Sequence, residues 1–207
     1  ARAGADPAGN ARLRVAMDKA LASNMSKDNI ERAIKRGCGA DGGDDMQEMR
    51  YEGYGPGGVA LIIDAMTDNT VRIVADVRHA LSKHGGNLGT SGSVAFQFAR
   101  VGELVFATPD GASEDALMEA ALDAGADDVQ SAEGESTVLC APDQFESVSS
   151  ALAAAGFVAL RSDVVMRPAN RVAVDAEIEE TLNDLLDWLD ELDDVQDVYH
   201  NAAIAPR

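Results

Sequence analysis

Two glycine-rich loops, one at 53–58 and one at 85–93, constrain the fold of this chain more than any other feature. The first reads Gly-Tyr-Gly-Pro-Gly-Gly, and the second holds four glycines in nine residues. Glycine adopts positive φ without a steric penalty, so loops of this composition predict tight turns at fixed points. The stretch from Tyr51 to Phe98 is therefore predicted to fold as one unit framed by these turns.

The apolar pattern between and after the loops changes its period. A continuous apolar run at 59–65 is typical of a buried strand. From about Asn69 to His84 the apolar residues recur at helical spacing, and an apolar run at 94–98 predicts another strand. The unit therefore reads as strand, helix and strand.

Two amphipathic helices are predicted in front of this unit. The first runs from about Asn10 to Asn24, and the second follows Ser26, whose hydroxyl we expect to cap it. Gly37 is placed to end the second helix, and a Gly- and Asp-rich linker at 39–45 follows. Their exposed faces are predicted to carry seven cations: Arg12, Arg14, Lys19, Lys27, Arg32, Lys35 and Arg36.

The C-terminal half of the chain is predicted to contain a second unit, followed by elements that belong to the first unit. Strands and helices alternate as β-α-β-β-α-β over 101–167, which is the split βαβ order of a ferredoxin-like domain. A short strand at 172–174, a long helix at 175–192 and a last strand at 195–200 come next. Because two or three strands make a weak sheet, we expect these last elements to complete the sheet of the first unit.

The predicted fold class is therefore α+β with three domains. A small all-α basic helical domain covers 1–46, and a central α+β domain combines 47–100 with 168–207. A ferredoxin-like domain, 101–167, is inserted into the central domain.

Charge is strongly polarised along the chain. The net charge is −19, yet residues 1–36 hold 8 Lys and Arg against 4 Asp and Glu, whereas residues 101–207 hold 4 against 24. A basic front on an acidic body suits contact with nucleic-acid phosphates, to which arginine offers a bidentate fork and lysine a point charge. Three further cations, Arg72, Arg78 and Lys83, are second-tier candidates on the central helix.

Catalytic and metal chemistry find no support in the residue pattern. The loops lack the Gly-Lys-Ser/Thr of a phosphate-binding P-loop, and they predict structural turns or backbone presented to a macromolecule. His79, His84 and His200 lack metal-ligand spacing, and Cys38 and Cys140 are predicted to be free thiols. No apolar run approaches the ~20 residues of a membrane span. We expect a cytoplasmic protein with no cofactor, metal, membrane partner or small-molecule substrate.

Four segments of the chain resemble the YebC/PmpR family: 26–37, 51–58, 85–95 and 193–201. The resemblance implies the three-domain layout and a cytoplasmic DNA-binding transcriptional regulator. Mitochondrial relatives are translational activators of cytochrome c oxidase subunit I, and some bacterial members are similar to ribosome-associated factors that act at proline-rich stretches. The resemblance also implies a further lysine-rich segment ahead of residue 1.

Three hypotheses follow, and the first is a non-enzymatic, DNA-binding regulator of gene expression that uses the basic front. The second is a translation factor on ribosomal RNA, with the glycine loop reaching into a crowded site. The third is a protein-interaction module that uses the open face of the ferredoxin-like sheet or the acidic C-terminal helix. The loop contact in the second hypothesis would involve Gly53, Tyr54, Gly55, Pro56, Gly57 and Gly58.

Overall fold

The computed structural model describes residues 6–22, 24–37, 46–108, 110–132 and 134–204. Within these ranges the chain is a mixed α/β protein with two four-stranded antiparallel sheets. The helices are α1 Ala11–Ala22, α2 Lys27–Gly37, α3 Thr70–Lys83, α4 Gly111–Asp123, α5 Phe145–Ala154 and α6 Ala176–Asp190. The strands are β1 Gln47–Tyr54, β2 Ala60–Thr67, β3 Asn87–Leu88, β4 Phe98–Ala107, β5 Asp128–Ala132, β6 Glu135–Cys140, β7 Ala159–Pro168 and β8 Val195–His200.

Local hydrogen bonds define the two N-terminal helices. The N–H of Asn29 bonds the Ser26 hydroxyl at 3.3 Å, which confirms the predicted cap of α2. Between the helices, Asn24 adopts a φ of +58°, and the N–H of Met25 bonds the Ala20 carbonyl at 2.9 Å. These are features of the Schellman motif, in which asparagine can replace the usual glycine. The turn therefore places α2 directly after α1.

The first sheet has the strand order β3-β1-β2-β8. Leu61 and Ile63 of β2 are fully buried on the face that α3 and α6 cover. Each such side chain contributes about 1.5–3 kcal/mol of hydrophobic stabilisation. β8 pairs with β2, with Leu61 opposite His200, so the C-terminal strand belongs to the sheet that begins near residue 47.

The second sheet has the strand order β5-β6-β4-β7 and is formed entirely by residues of 98–168. Leu104 and Phe106 of β4 face α4 and α5, where Leu117 and Leu152 complete a buried core. The start of β4 lies beside the end of β7, because Phe98 pairs with Pro168. The N–H of Ala169 also bonds the Gln97 carbonyl at 2.8 Å.

Two predicted strands require correction, and one observed strand was not predicted. The predicted strand at 94–98 is wrong, because Ala95–Gln97 form a 3-10 turn and β4 begins only at Phe98. The predicted strand at 172–174 is a single bridge between Val172 and Ala202. Strand β1 was not predicted, because its sequence is polar and lacks a strand-like apolar pattern. In the structure it lies second in the sheet, between β3 and β2.

Candidate nucleic-acid interface

The basic face predicted for the N-terminal helices is exposed wherever the structure describes it. Arg14 lies on α1, and Lys27, Arg32 and Lys35 lie on α2. All four side chains are exposed, and none forms an ion pair with another described residue. Three other predicted contact residues have side chains outside the described part of the chain: Arg12, Lys19 and Arg36.

The apolar residues of these helices explain why the cations point outward. Leu13 on α1 and Ile30 on α2 are 7% and 6% exposed, and the two helices contact each other. Burial of one apolar stripe leaves the opposite faces to solvent, where charged residues lie. Two carboxylates, Asp28 and Glu31, are also exposed on the N-terminal half of α2, so the face is predominantly rather than wholly cationic.

The three second-tier cations differ in their surroundings. Arg72 donates to Asp194 at 2.7 Å and to Asp68 at 3.0 Å, so carboxylates already balance its charge. The ammonium of Lys83 lies 4.1 Å from the centre of the Trp188 ring, a cation–π distance. Arg78 is exposed and makes no ion pair within the described ranges. Of the three, Arg78 is the one best placed to meet a phosphate.

The first glycine loop presents less backbone than its sequence predicts. Gly53 and Tyr54 belong to β1, and Gly55 and Pro56 are buried. The exposed part of the loop is Gly57 and Gly58, with φ values of +65° and +74°. A Cβ added to Gly57 would lie 2.9 Å from the Ile178 side chain of α6, so both the packing and the positive φ favour glycine at this position. A macromolecule could approach the backbone closely at these two residues.

The second glycine-rich turn is held by a buried carboxylate that we did not single out from the sequence. The Glu52 side chain is 5% exposed and accepts the N–H groups of Gly92, Val94 and Ala95 at 2.7, 2.9 and 2.8 Å. Burial acts to raise the pKa of Glu52, but these three hydrogen bonds outweigh it and the pKa is lowered. The sequence feature that could have indicated this role is the position of Glu52 between Tyr51 and Gly53.

The two glycine loops lie against each other. A Cβ added to Gly86 would meet the Tyr54 carbonyl oxygen at 2.2 Å, a distance that real side chains do not adopt. The Tyr54 hydroxyl also donates to the Ser93 carbonyl at 3.3 Å. Glycine at position 86 is therefore required for the close approach of the two loops, which together form one surface.

Acidic residues dominate the C-terminal helix. Along α6 and its C-terminal end, Asp184, Asp187, Asp190 and Glu191 are exposed. Such a face repels a polyphosphate chain.

The described ranges contain no metal-binding cluster and no helix suited to cross a membrane. No group of three or more His, Cys, Asp or Glu side chains in those ranges could hold a metal ion. Asp64 lies within β2 and accepts two 2.6 Å hydrogen bonds from Arg50. Cys140 is buried and free, and burial raises the pKa of its thiol, while Cys38 lies outside the described residues. None of the described helices has the length and apolar character needed to cross a membrane.

Comparisons with protein families match almost the whole chain. The TACO1/YebC protein N-terminal domain matches residues 1–40. The TACO1/YebC second and third domain matches residues 46–202.

Several known proteins are similar to the chain over nearly its full length. A Methylococcus capsulatus protein named as a "Probable transcriptional regulatory protein" is 56% identical over 203 residues, covering 98% of this chain and 81% of that protein. A relative from Xanthomonas campestris pv. campestris with the same designation is 58% identical over 200 residues, covering 96% and 82%. The crystal structure of a conserved hypothetical protein from Aquifex aeolicus matches with a TM-score of 0.85 and 40% identity, covering 99% of this chain and 84% of the other.

Proposed function

Since the chain belongs to the TACO1/YebC family, we propose that it is a non-enzymatic regulator of gene expression that binds nucleic acid. The names of its relatives support a role in transcription. DNA is the proposed partner, and the cytoplasm is the proposed compartment. The basic face of α1 and α2 makes the contact.

One observation carries the proposal. Arg14, Lys27, Arg32 and Lys35 are exposed and free of ion pairs with described residues, although the chain carries 36 Asp and Glu. Cations that remain unpaired in so acidic a protein are available to neutralise phosphates. Backbone phosphates are alike in every sequence, so we expect binding with little sequence preference.

We further propose that the chain is organised as three domains. The helical domain covers 1–46, and the central α+β domain combines 47–100 with 168–207. A ferredoxin-like domain, 101–167, is inserted into the central domain. The pairing of β8 with β2 and the β-α-β-β-α-β order of the second sheet support this arrangement.

Charge reversal on α2 tests the proposed contact. Arg32→Glu together with Lys35→Glu should weaken binding to duplex DNA of any sequence by about tenfold or more, because two phosphate contacts become repulsions. The slope of log K against log salt should become shallower by about 2. Fluorescence anisotropy with a labelled duplex between about 50 and 200 mM salt would measure both quantities.

A matched variant separates this contact from the effect of net charge. Arg32→Glu and Arg100→Glu change the charge by the same amount, but Arg100 lies exposed on β4. We expect the first variant to lose affinity and the second to retain it. Equal loss in both would show that net charge alone matters, and unchanged affinity in both would remove α2 from the interface.

The ribosomal hypothesis gives a different result in a parallel experiment. A translation factor should co-sediment with ribosomes, and bulky substitutions at Gly57 and Gly58 should abolish this. That result, together with weak duplex binding at physiological salt, would favour a translation factor over the proposal. Binding to duplex that depends on Arg32, with no ribosome association, would support the proposal.

A further inference from the structure

A cleft of about 440 Å³ lies between the second sheet and the C-terminal elements of the first sheet. One wall comes from β4, β7 and the segment that follows β7, and the other from α6 and β8. Its volume falls within the range of about 300–1,000 Å³ that is usual for small-molecule sites. None of the residues proposed for the nucleic-acid face lines it.

The charge of this cleft is opposite to that of its surroundings. Residues 101–207 contain four Lys and Arg against 24 Asp and Glu. Three of these four cations line the cleft, namely Arg161, Arg167 and Arg171, whereas two of the 24 carboxylates do so, Glu103 and Asp190. The lining is therefore net positive in the most acidic part of the protein, and a concave surface focuses that potential.

The arginines are arranged so that guanidinium groups remain available. Arg167 is partly buried and is oriented by Glu103 at 2.6 Å and by the Gln130 side chain at 2.5 Å. Those two bonds use two of its five N–H groups. Arg161 has one long ion-pair contact, 3.8 Å to Glu135. Arg171 is exposed and has no ion pair among the described residues.

The opposite wall is suited to an aromatic group. Tyr199 is partly buried and lies on the same face of the first sheet as Ile62, whereas Val198 and Leu186 line the cleft from the opposite face of β8. Burial, together with the carboxylates of Asp197 and Asp64, raises the pKa of Tyr199, so its hydroxyl remains a donor. Those carboxylates disfavour an anion beside the phenol, so an anionic group belongs at the arginine wall and a ring at the Tyr199 wall.

We propose that this cleft binds a nucleotide, with phosphate on Arg161, Arg167 and Arg171 and the base against Tyr199. Arginine recognises phosphate through paired N–H groups, and aromatic and apolar side chains accept the face of a base. The nucleotide is either a free mononucleotide or one unpaired nucleotide of a strand held elsewhere. The site is separate from the α2 face, so it does not depend on the function proposed above.

Binding to the whole chain can be measured by isothermal titration calorimetry and by amide chemical shifts in NMR spectra. The probes are adenosine monophosphate, guanosine monophosphate, adenosine, inorganic phosphate and a 5′-phosphorylated single-stranded hexanucleotide. We expect saturable binding of the mononucleotides that weakens with salt, with shifts at residues lining the cleft. Adenosine should bind at least about tenfold more weakly, because it lacks the charge-assisted hydrogen bonds. A hexanucleotide that binds much more tightly than a mononucleotide would identify a strand as the source.

Substitutions then assign the site. The double variant Arg161→Ala and Arg171→Ala should lower mononucleotide affinity by about tenfold or more, while Arg100→Ala, an exposed arginine outside the cleft, should leave it unchanged. Arg32→Glu with Lys35→Glu should not affect mononucleotide binding, so failure of the α2 contact and failure of the cleft are distinguishable. Absence of saturable binding by every probe, or shifts confined to residues outside the cleft, would overturn the proposal.

Discussion

Glu52 shows how one residue can determine the conformation of a whole loop. Its carboxylate is buried at the end of β1, where it would be unstable without partners. Three backbone N–H groups of the second glycine turn supply those partners, and the Glu52 carbonyl accepts a fourth from Gly89 at 2.8 Å. The turn is therefore built around the carboxylate.

Replacing Glu52 with glutamine should destabilise the fold and remove a pH-dependent contribution to stability. Glutamine has one acceptor oxygen where three N–H groups need partners, so we expect a loss of about 1.5–3 kcal/mol at pH 7. The folded pKa of Glu52 lies below its ordinary 4.5, so its stabilisation is fully present above that value. It is lost as pH falls through the lowered pKa. Urea unfolding of both proteins between pH 7 and pH 3 measures the difference.

Glu119→Gln is the matched control, because this side chain is exposed on α4. It should change the unfolding free energy by less than about 0.5 kcal/mol at every pH. A Glu52→Gln difference that stays constant down to pH 3 would show that the carboxylate charge is not what the turn needs.

At the scale of elements, the segment at 94–98 departs from its sequence pattern. Val94, Phe96 and Phe98 alternate as if one face of a strand were buried. In the structure Val94 and Phe98 are 0% and 8% exposed, but Phe96 between them is 77% exposed. The 3-10 turn rotates the middle side chain outward, because Glu52 binds the N–H groups of Val94 and Ala95 that a strand would have paired with a neighbour.

Because Phe98 is buried and Phe96 is exposed, alanine substitutions at these two positions should lower the unfolding free energy by different amounts. Phe98→Ala should lower the unfolding free energy by about 3–5 kcal/mol, as for other buried phenylalanines. Phe96→Ala removes a ring that is mostly in water, and it should change stability by less than about 0.5 kcal/mol. Guanidinium unfolding monitored by circular dichroism would measure both. Similar losses in the two variants would mean that Phe96 is buried on the same face as Phe98.

At the scale of the whole molecule, Asn201 connects segments that are far apart in sequence. This buried side chain accepts the N–H of Ala60 at 2.8 Å and donates to the Gln97 side chain at 3.2 Å. It thereby joins the end of β8 to the start of β2 and to the 3-10 turn before β4. The contact with Ala60 spans 141 positions in sequence.

Asn201→Ala should therefore destabilise the fold by about 1–3 kcal/mol, because the buried N–H of Ala60 loses its partner. Thermal and urea unfolding would measure the loss. Asn170→Ala, at an exposed position in the segment before α6, should be nearly neutral and serves as the control. Equal effects in the two variants would show that the contact with Ala60 contributes nothing beyond the average surface amide.

Features that depend on near neighbours follow from the amino-acid sequence alone. The helices, the turns that need glycine, the order of elements across 101–167 and the charge polarity all follow from patterns a few residues long. The exposure of Arg14 and Arg32 follows in the same way, because one apolar stripe defines the opposite face of each helix.

Features that depend on partners distant in sequence are set by the folded chain. The polar β1 lies within a sheet because β2 and β3 pair with it, and the strand expected at 94–98 becomes a turn because Glu52 takes its N–H groups. The arginine-lined cleft likewise draws together residues of 103–204 that share no sequence motif. Local periodicity reports which side of an element is buried, but pairing partners and buried hydrogen bonds are selected only when the chain closes over long separations.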